Sequence, residues 1–406
     1  MAQNWAVTGR KRLVLRAIDV LLNPLHLLGR IQPDRARADP SKILVLEFWQ
    51  LGDAVLAEPF LRALRRRFPA AEISLLCKSP TRTLLTPSGL IDRFLIADIP
   101  WTAFDRKYAL ERYRDADFIA LVRRLRAEKF DVTLDARMDL RSNLLTWMIG
   151  APRRIGFDAP GGSSLLTDRV PLPAGTSHKV EDWLALLAPF GVVPEAVVTP
   201  PELTVPAEDS ARAWRSLYAA GFEPGNVLIA VHPSARQAVR RWPLERFGQL
   251  IRALASRPGV QILLIQDPDG YAAELGDIPG VVTTRPSLSE LPAQLQCCQL
   301  FIGNDSGPAH IAAAVGVPTL TIFGPQVSAW YRPYGDGHRV VQLDNIPCRP
   351  CFDHCTQSEN FCITGISLAR VLADVDEMLL LGGGSGAAAG AVDAVDLLPD
   401  SREIPA

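Results

Sequence analysis

The chain has 406 residues, of which 48% are hydrophobic, and its formal net charge at pH 7 is −1. This length exceeds what one ordinary hydrophobic core needs and is typical of two packed domains. The near-zero charge gives no general reason to expect a nucleic-acid partner, and no apolar run has the length of a membrane-spanning helix. Seven cysteines at this size fit no secreted disulfide scaffold, which favours a reducing cytosol.

The N-terminal segment GRKRLVLRAIDVLLNPLHLLGR (9–30) predicts an amphipathic helix with a basic start. Arg12, Arg16, Asp19 and Asn23 share one narrow face, and aliphatic side chains cover the rest. Two of these charges interrupt the apolar run and no clean cleavage site follows, which argues against a signal peptide. Two interpretations stay open: an extra helix packed on the next domain, or an interfacial helix on an anionic membrane.

Strand and helix patterns alternate along the rest of the chain, which predicts an α/β fold. KILVLEF (42–48) is a continuous apolar run, as expected of a strand buried in a parallel sheet, and a helical pattern follows the turn at Gly52. AEISLLC (71–77) and FDVTLDA (130–136) are later strands of the same predicted domain. Because the rhythm restarts at NVLIAVHPSA (226–235), we expect two doubly wound domains.

The connecting segments set the predicted domain boundaries, because they are proline-rich, polar or of low complexity. The C-terminal tail, residues 381–406, is rich in small residues and is predicted to be disordered. We expect an N-terminal extension and linker at 1–41, a first Rossmann-like domain at 42–185, a linker at 186–206, a second Rossmann-like domain at 207–366 with a cysteine-rich loop at 348–362, a C-terminal helix at 367–380 and the tail at 381–406.

The loop GNDSGPAH (303–310) runs from a predicted strand directly into a predicted helix. Backbone N–H groups are unpaired at a helix start and the helix dipole adds positive potential, so the turn at Asp305, Ser306 and Gly307 suits a phosphate. His310 lies in the first helical turn. The alternative is an ordinary N-cap by Asp305 or Ser306, which many helices have.

A second loop, HPSARQAVRRWP (232–243), follows another strand of the same predicted sheet. It carries Ser234, Arg240 and Arg241, and arginine forks match phosphate oxygens in a bidentate way. Ligands of open α/β sheets bind at the carboxyl ends of the strands, where both loops are expected. The two loops together predict a phosphate-binding site, although an arginine pair alone also fits a solvated face.

Four segments in this order resemble glycosyltransferase family 9, the heptosyltransferases of lipopolysaccharide synthesis, and the resemblance covers roughly residues 42–380. It implies a GT-B fold, in which two Rossmann-like domains face each other across a cleft. It also implies an inverting sugar transfer, usually of heptose from ADP-heptose, to a lipid-linked acceptor such as the lipopolysaccharide core. The segments are LGDAVLAEPFLRALRRRFPAAEI (51–73), DARMDLRSNLLTWMIGAPRRIGFD (135–158), HPSARQAVRRWPLERF (232–247) and GNDSGPAHIAAAVGVPTLTIFGP (303–325).

By this resemblance, the aspartate of the LGD turn is the general base, and that position is Asp53. A carboxylate there takes the proton of the acceptor hydroxyl during attack on the anomeric carbon. A helix cap is the alternative for Asp53, and the two roles are compatible. The resemblance places phosphate and sugar contacts of the donor on Ser234, Arg240, Asp305, Ser306, Gly307 and His310, with Arg241 as the neighbour of Arg240.

The chain departs from the family pattern at two of these places. It reads EFWQLGD before the predicted base, so Glu47, Trp49 and Gln50 stand where family members often have Arg-x-Ser-Ser or similar. The loop at 232–243 is about one residue longer than in the best-known members. This leaves both arginines of its Arg-Arg-Trp-Pro step as alternatives for the diphosphate contact.

Metal-dependent glycosyltransferases use an Asp-x-Asp motif, and DPD (267–269) follows a predicted strand. It lies deep in the second domain, so we expect instead a metal-independent enzyme. The arginine pair and the helix start at Ser306 would then stabilise the leaving nucleotide. By resemblance, either Asp267 or Asp269 approaches the adenosine side of the donor.

Arginines of the first predicted domain suggest an acceptor site. A phosphorylated lipid acceptor requires cationic partners, and Arg141 and Arg154 are the candidates. Arg141 is favoured because it falls in the family's Leu-Arg-Ser step. A solvated helix face is the alternative.

The cysteine-rich loop has the spacing C-x2-C-x3-C-x6-C, formed by Cys348, Cys351, Cys355 and Cys362. Three interpretations are open: a structural zinc or iron–sulfur site, a disulfide, or reduced thiols.

The sequence therefore favours a heptosyltransferase-like enzyme at the cytoplasmic face of a bacterial inner membrane. Its expected partners are an ADP-sugar, a lipid-linked saccharide and, through residues 9–30, the membrane surface. One alternative keeps the GT-B fold but uses another nucleotide sugar, for hexose or N-acetylhexosamine transfer or for epimerisation. The other is a non-catalytic nucleotide-sugar-binding module, against which Asp53 argues.

Overall fold

A computed structural model describes residues 13, 15–21, 39–102, 116–173, 177–351 and 353–382. The chain divides into two compact units, Met1–Thr204 with Ala329–Gly335 and Val205–Ser328 with Asp336–Ala406. The domain boundaries drawn from the sequence stay predictions. The predicted disorder of the tail concerns residues that, from 383 onward, lie outside the described part of the chain, and so does most of the segment 9–30.

The first unit is built on a sheet of six parallel strands. The strands are β1 (Lys42–Leu46), β2 (Glu72–Cys77), β3 (Arg93–Ile96), β4 (Val132–Leu134), β5 (Arg153–Phe157) and β6 (Asp168–Val170). Their order across the sheet is β3-β2-β1-β4-β5-β6. The helices are α1 (Leu51–Leu56), α2 (Glu58–Arg67), α3 (Ser79–Leu85), α4 (Ala116–Ala127), α5 (Leu140–Ile149) and α6 (Lys179–Ala185).

The second unit repeats this plan with six more parallel strands. They are β7 (Val227–His232), β8 (Val260–Ile265), β9 (Val281–Thr284), β10 (Leu300–Asn304), β11 (Thr319–Phe323) and β12 (His338–Gln342), in the order β12-β11-β10-β7-β8-β9. The remaining helices are α7 (Ala207–Ala219), α8 (Leu244–Ala255), α9 (Leu291–Gln296), α10 (Gly307–Ala314), α11 (Ser328–Tyr331), α12 (Phe361–Thr364) and α13 (Leu368–Gly382).

In both sheets, the order in which the chain adds strands reverses at one point. In the first unit the chain moves outward from β1 to β3 and then returns to the other side of β1 with β4. In the second unit the same reversal separates β7 from β10. Ligands of doubly wound sheets bind outside the carboxyl ends of the strands at this switch point. The loops after β1, β4, β7 and β10 are therefore the places where a site is expected.

The apolar core explains why the central strands read as uninterrupted hydrophobic runs. Ile43, Leu44, Val45 and Leu46 of β1 are all fully buried, because helices cover both faces of a parallel sheet. In the second unit, Trp242 is fully buried and its indole N–H donates to the carbonyl of Ile366 at 2.9 Å. This anchor fixes the end of the Arg-Arg-Trp-Pro loop against the core.

A short helical stretch at residues 15–21 lies on the first unit. The carboxylate of Asp19 accepts hydrogen bonds from the backbone N–H groups of Gly161, at 2.9 Å, and Gly162, at 2.6 Å. Both glycines have positive φ, 118° and 85°, and so form a turn that presents two N–H groups together. Two apolar side chains of this stretch are exposed, Val20 at 72% and Leu21 at 78%, and so is Leu13, which precedes it, at 68%.

Within the described ranges, no helix combines the length and the apolar character that crossing a membrane requires.

Candidate active site

The loops after β7 and β10 are joined by one buried amide. Asn304, the last residue of β10, is fully buried. Its Oδ1 accepts from the backbone N–H of Trp242 at 3.0 Å, and its Nδ2 donates to the carbonyl of Pro233 at 2.6 Å. No sequence motif assigned a role to Asn304, although an amide between a buried strand and Asp305 was a usable signal. This side chain sets the spacing of the two predicted phosphate loops.

Arg240 lies between two carboxylates of the second unit. Its Nη1 is 2.9 Å from Oδ2 of Asp305. Its Nε and Nη2 donate to the two carboxylate oxygens of Asp353 at 2.8 and 2.7 Å, which is a bidentate, charge-assisted pair. Asp353 belongs to the cysteine-rich loop and has a φ of 66°. Nothing in the sequence pattern indicated that this loop contributes to the site.

Arg241 faces a different loop from its neighbour. Its Nε donates to the carbonyl of Ala235 at 2.7 Å, and its guanidinium lies 4.1 Å from the ring centroid of Tyr271. Asp269 is 4.0 Å away and largely exposed. The structure therefore places Arg240 against Asp305 and Arg241 towards the loop after β8.

The start of α10 differs from an ordinary capped helix. Ser306 occupies the N-cap position, but its side chain makes no capping hydrogen bond. Its hydroxyl is buried without a hydrogen-bond partner, and the buried hydroxyl of Ser234 interacts with the carboxylate of Asp267. Gly307 is the first helical residue, and His310 follows in the first turn with 6% of its surface exposed. Buried hydroxyls are normally satisfied, so this end of the sheet suits a ligand that carries oxygen atoms.

The loop after β8 contributes a hydrogen-bonded pair of a buried histidine and a partly exposed aspartate. Nε2 of His232 is 3.2 Å from Oδ1 of Asp267, and this hydrogen bond is the main cause that lowers the pKa of Asp267 to about 2. Asp269 accepts from the backbone N–H of Tyr271 at 3.0 Å. The two carboxylates of the DPD motif thus have separate protein partners.

In the first unit, Asp53 lies on α1, directly after the central strand β1. Its Oδ2 accepts from the backbone N–H of Gln50 at 3.1 Å, so the capping contact considered from the sequence is present. Its Oδ1 is 2.7 Å from Nη2 of Arg137, which follows β4 across the switch point. The side chain of Asp53 is 18% exposed. The carboxylate therefore caps the helix and also reaches solvent, as a base must.

The two predicted acceptor residues lie in different places. Arg141 is at the start of α5, with 32% of its side chain exposed and its guanidinium paired with Asp139. Arg154 is buried near the amino end of β5, where its Nε and Nη1 donate to the carbonyls of Leu165 and Ala151, both at 2.8 Å. The structure brings Arg141 to the ligand-binding end of the sheet and does not bring Arg154 there.

The cysteines of the cysteine-rich loop line one small cavity of about 10 Å³. All four are free thiols. Across the described part of the chain, no group of three or more histidine, cysteine or acidic side chains is placed to hold a metal ion. The structural metal and the disulfide both stay predictions from the spacing.

Two parallel sheets of the same strand order, with polar side chains at both switch points, define a protein of two Rossmann-like units. Comparison with known proteins narrows the class. The family model "Glycosyltransferase family 9 (heptosyltransferase)" matches residues 118–361, which is more than half of the chain. The protein belongs to this family, and it is a glycosyltransferase.

Individual relatives agree with this membership. Lipopolysaccharide heptosyltransferase 3 of Escherichia coli is 29% identical over 342 residues, which cover 81% of this chain and 96% of the relative. A family 9 glycosyltransferase of Veillonella parvula has a similar structure, with a TM-score of 0.68 and 22% identity. The match covers 84% of this chain and 97% of that one. The structure of the E. coli ADP-heptose lipopolysaccharide heptosyltransferase II has a TM-score of 0.64 and 21% identity. The match covers 84% of this chain and 99% of that one. The predicted GT-B fold is confirmed.

Proposed function

We propose that the protein transfers a heptose from ADP-heptose to a lipopolysaccharide-core or related lipid-linked saccharide, with inversion and without a catalytic metal. The observation that carries this proposal is the meeting of Arg240, Asp305 and two buried serine hydroxyls at the switch point between β7 and β10. The donor is inferred from the solved relative named for ADP-heptose, and the acceptor from the curated lipopolysaccharide heptosyltransferase.

The donor contacts follow from the geometry of the second unit. The N–H groups at the start of α10 and the hydroxyls of Ser234 and Ser306 bind diphosphate oxygens. Arg240, held in orientation by its carboxylate partners, offsets the charge that develops on the departing nucleotide. Asp305 and His310 contact the sugar. We infer that Arg240 and the helix N-terminus, rather than a metal ion, stabilise the departing diphosphate.

Asp53 supplies the base. The acceptor oxygen forms a bond to the anomeric carbon as the bond from that carbon to the diphosphate oxygen breaks, and ADP leaves with the electron pair. The proton of the acceptor hydroxyl passes to the carboxylate of Asp53. A single displacement from the face opposite the leaving group inverts the anomeric configuration. Arg141, at the same end of the sheet as Asp53, is proposed as a contact for acidic groups of the acceptor.

The substitution Asp53→Ala tests this assignment. We expect turnover to fall by about a thousandfold or more, because the loss of a general base costs up to four orders of magnitude. ADP affinity measured by calorimetry should stay within about threefold, since the donor contacts lie in the second unit. If ADP affinity falls as far as turnover, Asp53 is a structural cap and not the base.

We further propose that the enzyme binds the inner membrane peripherally from the cytoplasmic side. Asp19, from the polar face of the N-terminal helix, turns towards the protein and binds the turn at Gly161 and Gly162. The exposed side carries Leu13, Val20 and Leu21. A helix that directs its acid to the protein and its aliphatic residues to solvent suits an interfacial position. The basic residues that precede it favour anionic lipid.

A structural metal at the cysteine-rich loop is proposed separately from catalysis. Arg349 lies on the wall of the same cavity, and its Nη2 is buried without a hydrogen-bond partner. A metal bound by several thiolates carries net negative charge and would offset this cation, whereas a disulfide would not. Metal analysis of the purified protein distinguishes these states.

A further inference from the structure

Arg137 is the least expected feature of the first unit. It follows β4, and its Nη2 lies 2.7 Å from Oδ1 of Asp53 and 3.7 Å from Oε2 of Glu47. Its guanidinium lies over the ring of Trp49 at 4.7 Å from the centroid. Two of the three residues that depart from the family pattern before the LGD turn, Glu47 and Trp49, therefore contact one arginine. That arginine contacts the predicted base.

The groups around Arg137 indicate that Asp53 is its main ionised partner. Glu47 is 1% exposed, and burial raises its pKa to about 8, although Arg137 opposes this shift. Burial also raises the pKa of Asp135 to about 7, against the hydrogen bond from the backbone N–H of Arg137. Burial thus opposes the ionised form of both Glu47 and Asp135, whereas Asp53 is partly exposed. Tyr331 is the other titratable group that interacts with the guanidinium.

We propose that Arg137 is a positioning residue for the catalytic carboxylate, clamped between the Trp49 ring and the carboxyl of Glu47. This inference rests on the proposed role of Asp53 as base. Arg137 holds Oδ1, while the Gln50 N–H holds Oδ2, so that the plane of the carboxylate is fixed. The cation also favours the ionised form of the carboxylate, which is the form that accepts a proton.

The test compares Arg137→Met with Arg137→Lys in the full-length enzyme. Methionine keeps much of the apolar contact with Trp49 but removes the charge, so we expect kcat to fall by about tenfold to a hundredfold. The acid limb of the pH–kcat profile should move to higher pH by about one unit or more, because Asp53 loses its cation. The donor KM should stay within about threefold. Lysine should restore the position of the acid limb.

The matched control is Arg65→Met. Arg65 is also an arginine of the first unit that pairs with an aspartate, Asp92, and its side chain is 20% exposed against 19% for Arg137. It should leave kcat and the pH profile unchanged. An unmoved acid limb in Arg137→Met, with a melting temperature like that of the control, would overturn the inference. An active Asp53→Ala enzyme would instead overturn the proposed base, so the two failures are distinguishable.

Discussion

Arg240 and Arg241 are adjacent in the sequence but contact different loops. Arg240 joins Asp305 and Asp353, whereas Arg241 contacts a backbone carbonyl and an aromatic ring. We expect Arg240→Met to weaken ADP binding by about tenfold or more, since a charge-assisted contact contributes about 1.5–3 kcal/mol. Arg241→Met should weaken it by less than about threefold. Calorimetric titration of both variants with ADP is the measurement.

Each of these variants controls for the other, because both remove one partly buried guanidinium from the same loop. Thermal melting shows whether Arg240→Met merely unfolds the unit by leaving two carboxylates unpaired. Equal losses of ADP affinity, or a larger loss in Arg241→Met, would contradict the geometric assignment.

At the residue scale, the sequence was informative where a motif fixes chemistry and uninformative where a contact depends on tertiary packing. It placed Ser306 and Asp305 at a helix start, because strand, turn and helix signals are local. It did not predict Asp353, since a long irregular loop has no periodicity that says where its carboxylates point. The contact between Arg137 and Asp53 was not predicted either. The two residues are 84 positions apart in the sequence, and they meet because β1 and β4 are neighbours in the sheet.

The N-terminal helix shows what an isolated amphipathic pattern leaves open. The pattern predicted a helix but could not decide between packing on the domain and binding to a membrane. In the structure, Asp19 accepts hydrogen bonds from a glycine turn of the first unit, while Leu13, Val20 and Leu21 are exposed. The ambiguity was physical, since hydrophobic periodicity identifies a face but not the surface that covers it.

The double variant Val20→Ser/Leu21→Ser tests the membrane proposal. Each aliphatic side chain contributes about 1.5–3 kcal/mol when fully buried, so sedimentation with phosphatidylglycerol vesicles should fall by tenfold or more. Val193→Ser/Val198→Ser is the control, because these valines of the same unit are also exposed, at 60% and 38%. It should sediment like the parent protein. Unchanged vesicle binding by the helix variant would contradict an interfacial role.

At the scale of the whole molecule, the alternation of strands and helices was sufficient to predict two doubly wound units, because buried parallel strands are continuous apolar runs. The sequence did not show that the short segment Ala329–Gly335 groups with the first unit. There Nε2 of His178 lies 2.8 Å from the carbonyl oxygen of Arg332, and the hydroxyl of Tyr334 donates to Glu181. Such long-range polar contacts produce no periodic signal.

The most direct test of the central claim is a transfer assay with ADP-heptose, UDP-sugars and GDP-sugars as donors and a lipid-linked lipopolysaccharide core as acceptor, in the presence of EDTA. We expect a product only with ADP-heptose, in an amount that EDTA does not reduce, and with an anomeric configuration opposite to that of the donor. Transfer from a UDP- or GDP-sugar in its place, abolition by EDTA that added Mg²⁺ or Mn²⁺ reverses, or retention of configuration would contradict it.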